Sequence, residues 1–308
     1  MKSAILFIIF KRPDTTRRVF ERIREAQPPR LYIAADGPRK DRPDEIEKCN
    51  AARRIAENVD WPCEVYRLYR DENLGCGRGV SSAITWFFEH EEQGIIIEDD
   101  ILPHIDFFKY CDEMLDRFKD DERIHLISGF NFFYNGYKSD ASYYLTNFGS
   151  IWGWASWRRV WLTYQFDVDA YPEKELKIKI QKRLPQKTAR YYSTVYDTMK
   201  QHKIDTWDFQ FAMNRFYYDR YAVTCYTNMV ENIGMGGEDA SHVTANSLIS
   251  THKAFSPYPL MHPNPIIYDI DADLETIKNG RIYASPWCVR WIRRLLRVPR
   301  KIRSIIKV

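Results

Sequence analysis

The chain has 308 residues, 44% hydrophobic and 15% aromatic, enough to bury a large core, which excludes a disordered tail or a disulfide-stapled miniature fold. Its six cysteines include no C-x-x-C pair, so neither a zinc ribbon nor a disulfide framework is indicated and a reducing cytoplasm is the expected compartment. The net charge of +4 conceals an asymmetry, because the segment from Thr276 onward holds ten Lys or Arg and no acid, leaving an acidic body before a strongly basic tail.

In chain order, residues 4–9 read as a strand, and Asp14 can cap a helix that puts Val19, Phe20, Ile23 and Ala26 on one side. Residues 31–35 form a second strand, closed by Asp36-Gly37-Pro38, a turn signal. A polar helix is predicted over 43–57, a strand over 65–69, a helix over 79–89, a strand over 94–98, a helix over 104–118 and a strand over 124–128. This alternation argues for an α/β fold with a doubly wound, mostly parallel sheet. Ligands in such sheets sit outside the carboxyl ends of the strands, where Arg12, Asp36, the 70–73 loop and residues 98–100 fall. No run of 18 apolar residues and no signal-peptide pattern is present, so no membrane span or export is expected.

The most telling stretch is Ile95-Ile96-Ile97-Glu98-Asp99-Asp100. Three isoleucines in a row suit a strand buried on both faces, and three acids at its end repel one another unless a cation joins them. A solvated acidic turn is the plain alternative. Beyond Gly129 the sequence turns aromatic and less periodic, without a linker rich in Pro, Gly or Ser, so it is expected to complete the same domain over 1–275. Residues 1–128 would form its first half and 129–275 its second. Trp152, Trp154 and Trp157 suit either a core or the walls of a carbohydrate site. Gly75-Cys76-Gly77-Arg78-Gly79 has the look of a dinucleotide fingerprint, but its third glycine comes one residue early and it follows the third strand. A turn that brings backbone amides and Arg78 to a phosphate is the better reading.

The ordered set Phe10-Lys11-Arg12-Pro13, Ala35-Asp36-Gly37, Asn73-Leu74-Gly75, Glu98-Asp99-Asp100, Trp152-Gly153-Trp154 and Trp207-Asp208 resembles the GT-A glycosyltransferases over roughly residues 1–245. The likeness is to family-2-type bacterial enzymes and to the N-acetylglucosaminyltransferase I group. It implies a GT-A type fold, a nucleotide-sugar donor, a divalent cation (Mn²⁺ or Mg²⁺) on the diphosphate, and inverting transfer to a hydroxyl. Carried onto this chain, Arg12 lies near the nucleotide and Asp36 accepts from the uracil imide, with Asn73 and Arg78 beside the donor. Asp100 is the direct metal ligand, supported by Glu98 and Asp99. Asp208 takes the place of the catalytic base, with Asp205 its neighbouring rival, and His242, in a glycine-rich segment, is a second metal ligand. His104 and His125 are weaker candidates. The missing Q-x-x-R-W motif and transmembrane helices disfavour polymer synthesis with extrusion.

Inside such a site the departing nucleoside diphosphate gains negative charge, which a cation stabilises, while one base removes the acceptor proton from the opposite face. The tail over 276–308 spaces Trp287, Trp291, Leu295, Val298, Ile302 and Ile305 by threes and fours among basic residues, as in a basic amphipathic helix lying on an anionic membrane, with Pro299 as a kink. The expectation is a cytoplasmic protein held through residues 287–308 to the inner face of the membrane, where a glycan or lipid-linked acceptor waits and no nucleic acid is bound. The alternatives are a nucleotide-sugar nucleotidyltransferase and an inactive sugar- or nucleotide-binding relative. The former class usually opens with a glycine-rich basic loop after its first strand, which this chain lacks.

Overall fold

A computed structural model describes residues 1–132, 139–234 and 252–280. Strand β1 (Ala4–Ile9) leads into helix α1 (Pro13–Ala26), which Pro13 can open because the first helical N–H needs no partner. Thr16, Val19, Phe20 and Ile23 recur at spacings of three and four and form its buried face. Arg12 takes the cap position without a side-chain cap bond, and Asp14 sits in the first turn, where its charge complements the helix dipole.

The alternation continues through β2 (Arg30–Ala35), α2 (Glu45–Ala56), β3 (Glu64–Tyr69), α3 (Gly75–His90) and β4 (Gln93–Glu98). Ile95, Ile96 and Ile97 are at most 1% exposed, as a strand covered on both faces requires. Next come β5 (Ile101–Pro103), α4 (Asp106–Arg117), β6 (Ile124–Ser128), β7 (Tyr143–Thr146), β8 (Trp154–Trp157) and α5 (Arg158–Trp161). The chain then adds α6 (Glu173–Arg183), α7 (Gln186–Lys200), α8 (Asp208–Tyr217), β9 (Tyr221–Cys225), β10 (Val230–Asn232) and α9 (Ile270–Gly280).

The fold is α/β, with helices flanking one eight-stranded, mostly parallel sheet of order β3-β2-β1-β4-β8-β6-β9-β7. Strands β3, β2, β1 and β4 run parallel, as do β6 and β9, while β8 and β7 are antiparallel to their neighbours. Strands from both halves of the sequence therefore share one sheet. A separate pair, β5 and β10, lies beyond the end of β4.

The main core lies around this sheet, and a second apolar cluster joins α6, α7 and α8 through Leu176, Ile180, Val195, Tyr196, Met213 and Phe216. Of the three tryptophans open to two readings, Trp154 and Trp157 are core residues, at 1% and 3% exposure. Trp152 is half-buried, edge-on to Phe130 at 4.8 Å. Among the described residues no helix is long and apolar enough to cross a membrane. The expected amphipathic helix over 287–308 lies outside the described residues.

Candidate functional site

Parallel pairing sets Ile8 of β1 beside Glu98 of β4, so the loops after the two strands leave the sheet together. Asp99 turns back across this edge, and its Oδ2 accepts the Phe10 N–H at 3.0 Å. The carboxylate is 5% exposed. Arg12, two residues on, reaches the same acids: Nη1 donates to Asp100 Oδ2 at 2.6 Å and lies 3.5 Å from Asp99 Oδ1. Among the described residues Arg12 is the one cation bonded to these acids.

Carboxyl groups therefore outnumber cations here among the described residues, in a place that is buried at Asp99 and half-buried at Glu98 and Asp100. Burial pushes the Glu98 carboxyl up, and Asp100 and Asp99 add to the effect more than Arg12 opposes it. Asp99 moves the same way through burial and Asp100, against the pull of Arg12 and the Phe10 amide. Asp208, first residue of α8, also raises Glu98, and although Cys76 is exposed as a residue, its thiol is pushed up by desolvation and then by Glu98, Asp208 and Asp205. Hence Arg12, Glu98, Asp99, Asp100, Cys76 and Asp208 share one electrostatic neighbourhood, although they come from positions up to 196 residues apart in the chain. Thr206 Oγ1 hydrogen-bonds Asp208 Oδ1.

The aromatic surroundings of Asp208 are packed, not open. Trp207, at 2% exposure, stacks on Trp154 with centroids 5.8 Å apart, and Phe211 fills in beside Trp154 at 5.1 Å. This cluster fixes the first turn of α8 against β8.

A second polar group forms where β2 and β3 end. Asp36 accepts the Leu74 N–H at 3.0 Å, the Gly37 N–H at 3.1 Å and the Asn73 Nδ2 at 2.9 Å. Asn73 Nδ2 also donates to the Gly37 carbonyl at 3.0 Å. Burial raises the Asp36 pKa, opposed by the Leu74 and Gly37 amides. Arg53 Nη2 braces both loops from α2, donating to the Arg70 carbonyl at 2.6 Å and the Asp36 carbonyl at 3.3 Å. Asp36 and Asn73 thus form one unit.

The glycine turn departs from the expectation. Helix α3 begins at Gly75, not residue 79, and the Cys76 and Gly77 amides donate to Asp205 Oδ2 and Oδ1 at 3.1 and 2.9 Å. An internal carboxylate, not a phosphate, holds those two amides. Arg78 projects outward, its guanidinium 4.6 Å above the Phe166 ring. Sequence reading missed this use of Asp205, since the amides it meets lie 128 and 129 residues upstream.

Beyond Asp100 the chain returns through β10, where Ile233 N–H donates to the Asp100 carbonyl at 2.8 Å. Gly234 packs so closely that a Cβ there would run into the Asp100 carboxylate. His242, eight residues later, lies outside the described residues. His104 Nδ1 accepts the Asp106 N–H at 3.2 Å, and His125 is fully buried against Asn214 at 3.1 Å. Among the described residues no group of three His, Cys, Asp or Glu is arranged to hold a metal ion. A cation at Asp100 would therefore draw most of its ligands from a bound molecule and water, as Mg²⁺ and Mn²⁺ commonly do with phosphates. The excess of carboxylates over cations fits such an ion.

No protein-family model matches the chain, and no curated protein matches it. Among solved structures, HddC from Yersinia pseudotuberculosis aligns at 14% identity over 41% of this chain, with a TM-score of 0.28. The chain spans 57% of HddC's length. A UDP-glucose pyrophosphorylase aligns at 10% identity over 76% of this chain and 93% of its own, with a TM-score of 0.39. Its complex with UDP-glucose aligns at 9% identity over 73% and 90%, with a TM-score of 0.35. None of the three is named as a glycosyltransferase, the class that the motifs resemble. At these scores the likeness carries no argument about chemistry.

Proposed function

We propose that this chain is a metal-dependent transferase acting on a nucleotide sugar. The observation that carries the reading is the convergence of Arg12, Glu98, Asp99, Asp100 and Asp208 at the carboxyl edge of β1 and β4, with more acid than base. An α/β sheet offers ligands that edge, and a diphosphate brings the partner that uncompensated carboxylates attract, a divalent cation. Held between Asp100 and the diphosphate, that cation would neutralise the charge growing on the leaving phosphate.

The finer reading is inverting glycosyl transfer from a UDP-sugar. Asp36, fixed by Asn73 and the Leu74 amide, would accept from the uracil imide N–H, since a carboxylate has lone pairs beyond those hydrogen bonds. Arg12 would hold Asp100 and face the diphosphate. Asp208, on its rigid aromatic seat, would take the proton of the attacking hydroxyl. The acceptor would be a glycan or lipid-linked hydroxyl, met at the inner membrane face through residues 287–308.

Nucleotidyl transfer is the second reading, and it is the chemistry in the name of the UDP-glucose pyrophosphorylase to which part of the fold is similar. Products separate the two. Incubated with UDP-sugars and Mn²⁺, a glycosyltransferase releases UDP and free sugar by slow hydrolysis of its donor. A nucleotidyltransferase instead needs added pyrophosphate and yields UTP and sugar 1-phosphate. Neither product would leave a binding protein.

A further inference from the structure

Resting on the transferase reading, we infer that Asp205 is a positioning residue that holds the base-bearing Asp208 segment against the donor half of the site. The evidence lies in the glycine turn. Gly75 has φ of +80°, a left-handed conformation that glycine adopts without strain, and it turns the Cys76 and Gly77 amides toward Asp205. A Cβ on Gly75 would lie 2.6 Å from Asp205 Oδ2, and one on Gly77 would lie 2.5 Å from Asp205 Oδ1. Both glycines are therefore needed for the carboxylate to approach. The same Cβ on Gly77 would lie 2.9 Å from the Thr206 carbonyl, so the whole 205–206 segment rests on the turn.

The carboxylate satisfies amides that a helix leaves unpaired at its start, and its charge complements the dipole there. From this anchor the chain runs through Thr206, which hydrogen-bonds Asp208, to Trp207, which is buried on Trp154. Gln210 Nε2 closes the turn on the Thr206 carbonyl at 2.7 Å. Asp208 is thus fixed from two sides: the apolar stack holds α8 to the sheet, and Asp205 ties the approach to α8 to the helix after β3. With both oxygens accepting amides, Asp205 is an anchor and not the base.

The test is a double-mutant cycle on the full chain with a UDP-sugar and Mn²⁺, following donor turnover. Asp205→Ala and Gly77→Ala break one contact from its two ends, so each should lower kcat about tenfold while leaving the donor KM within about twofold. The double variant should be no slower than the worse single one. Asp205→Asn keeps one acceptor oxygen and should recover part of the rate. Unchanged kcat in Asp205→Ala, fully additive losses, or a loss confined to KM would each overturn the inference. If the wild-type chain turns over no nucleotide sugar, the transferase reading fails by itself. Hydrogen exchange then decides the anchor: faster exchange of the Cys76 and Gly77 amides in Asp205→Asn and Asp205→Ala sustains it, and unchanged protection overturns it.

Discussion

Lys11 and Arg12 are neighbours at the end of β1, yet the carboxylates they serve are opposites. Lys11 Nζ meets Glu45 Oε1 at 2.9 Å, and Arg39 adds its Nε at 3.0 Å and its backbone N–H at 3.1 Å to the same fully buried group. Burial alone would raise the Glu45 pKa, but Arg39 and Lys11 overcome it and bring it down to about 2. On the other side, Arg12 faces Glu98, Asp99 and Asp100, and the first two are pushed up. Glu45, which serves the fold, is saturated with donors. The acids at the β4 edge outnumber the cation bonded to them among the described residues, an imbalance that a proton or an added cation would relieve, and the proposed metal role rests on this difference.

The largest test of the contrast removes the saturated acid. Glu45→Ala removes the buried acceptor that Lys11 and Arg39 share and should cost about 3–5 kcal/mol of stability by urea denaturation. Nucleotide affinity measured well below the transition should be unchanged. A variant of normal stability would show that the buried pairing is dispensable.

Asp100→Ala should do the reverse. It separates like charges and leaves Arg12 with Asp99, so stability should change by less than about 1 kcal/mol. Mn²⁺-dependent nucleotide affinity by calorimetry should fall at least tenfold, about 1.4 kcal/mol. Equal affinity in wild type and variant would remove Asp100 from the metal site.

Acid titration sharpens the comparison with a smaller effect. Because folding lowers the Glu45 pKa, its stabilisation is complete above the unfolded value near 4.5 and disappears as the pH falls toward about 2. Wild type should therefore lose stability more steeply than Glu45→Gln between about pH 5 and pH 3. Parallel slopes would mean that another acid governs this limb.

How much of this was legible depended on how far apart the partners lie. The strand at β4 and its acidic end could be read directly, because an apolar run that stops at three carboxylates is a local pattern. The same holds for the predicted strand over 4–9, which is β1 residue for residue. The start of α3 could not be read, since the group that satisfies its first amides is Asp205, over a hundred residues downstream. The four-residue strands β7 and β8 are buried at every position, so they lack the alternation that announces a strand. Glu45 was read only as part of a polar helix. Nothing in its sequence neighbourhood says that Lys11 folds onto it.

The smallest effect belongs to an exposed bidentate pair. Arg24 meets Asp60 with two parallel bonds, Nε to Oδ1 at 2.9 Å and Nη2 to Oδ2, which draws the Asp60 pKa down and raises that of Arg24. Both side chains are about half exposed, at 43% and 46%. Water and salt already stabilise each charge apart from the other, so bringing them together gains little. Arg24→Ala should leave the thermal midpoint unmoved at physiological salt. A loss approaching that of Glu45→Ala would show that bidentate geometry, rather than burial, separates a structural carboxylate from the rest.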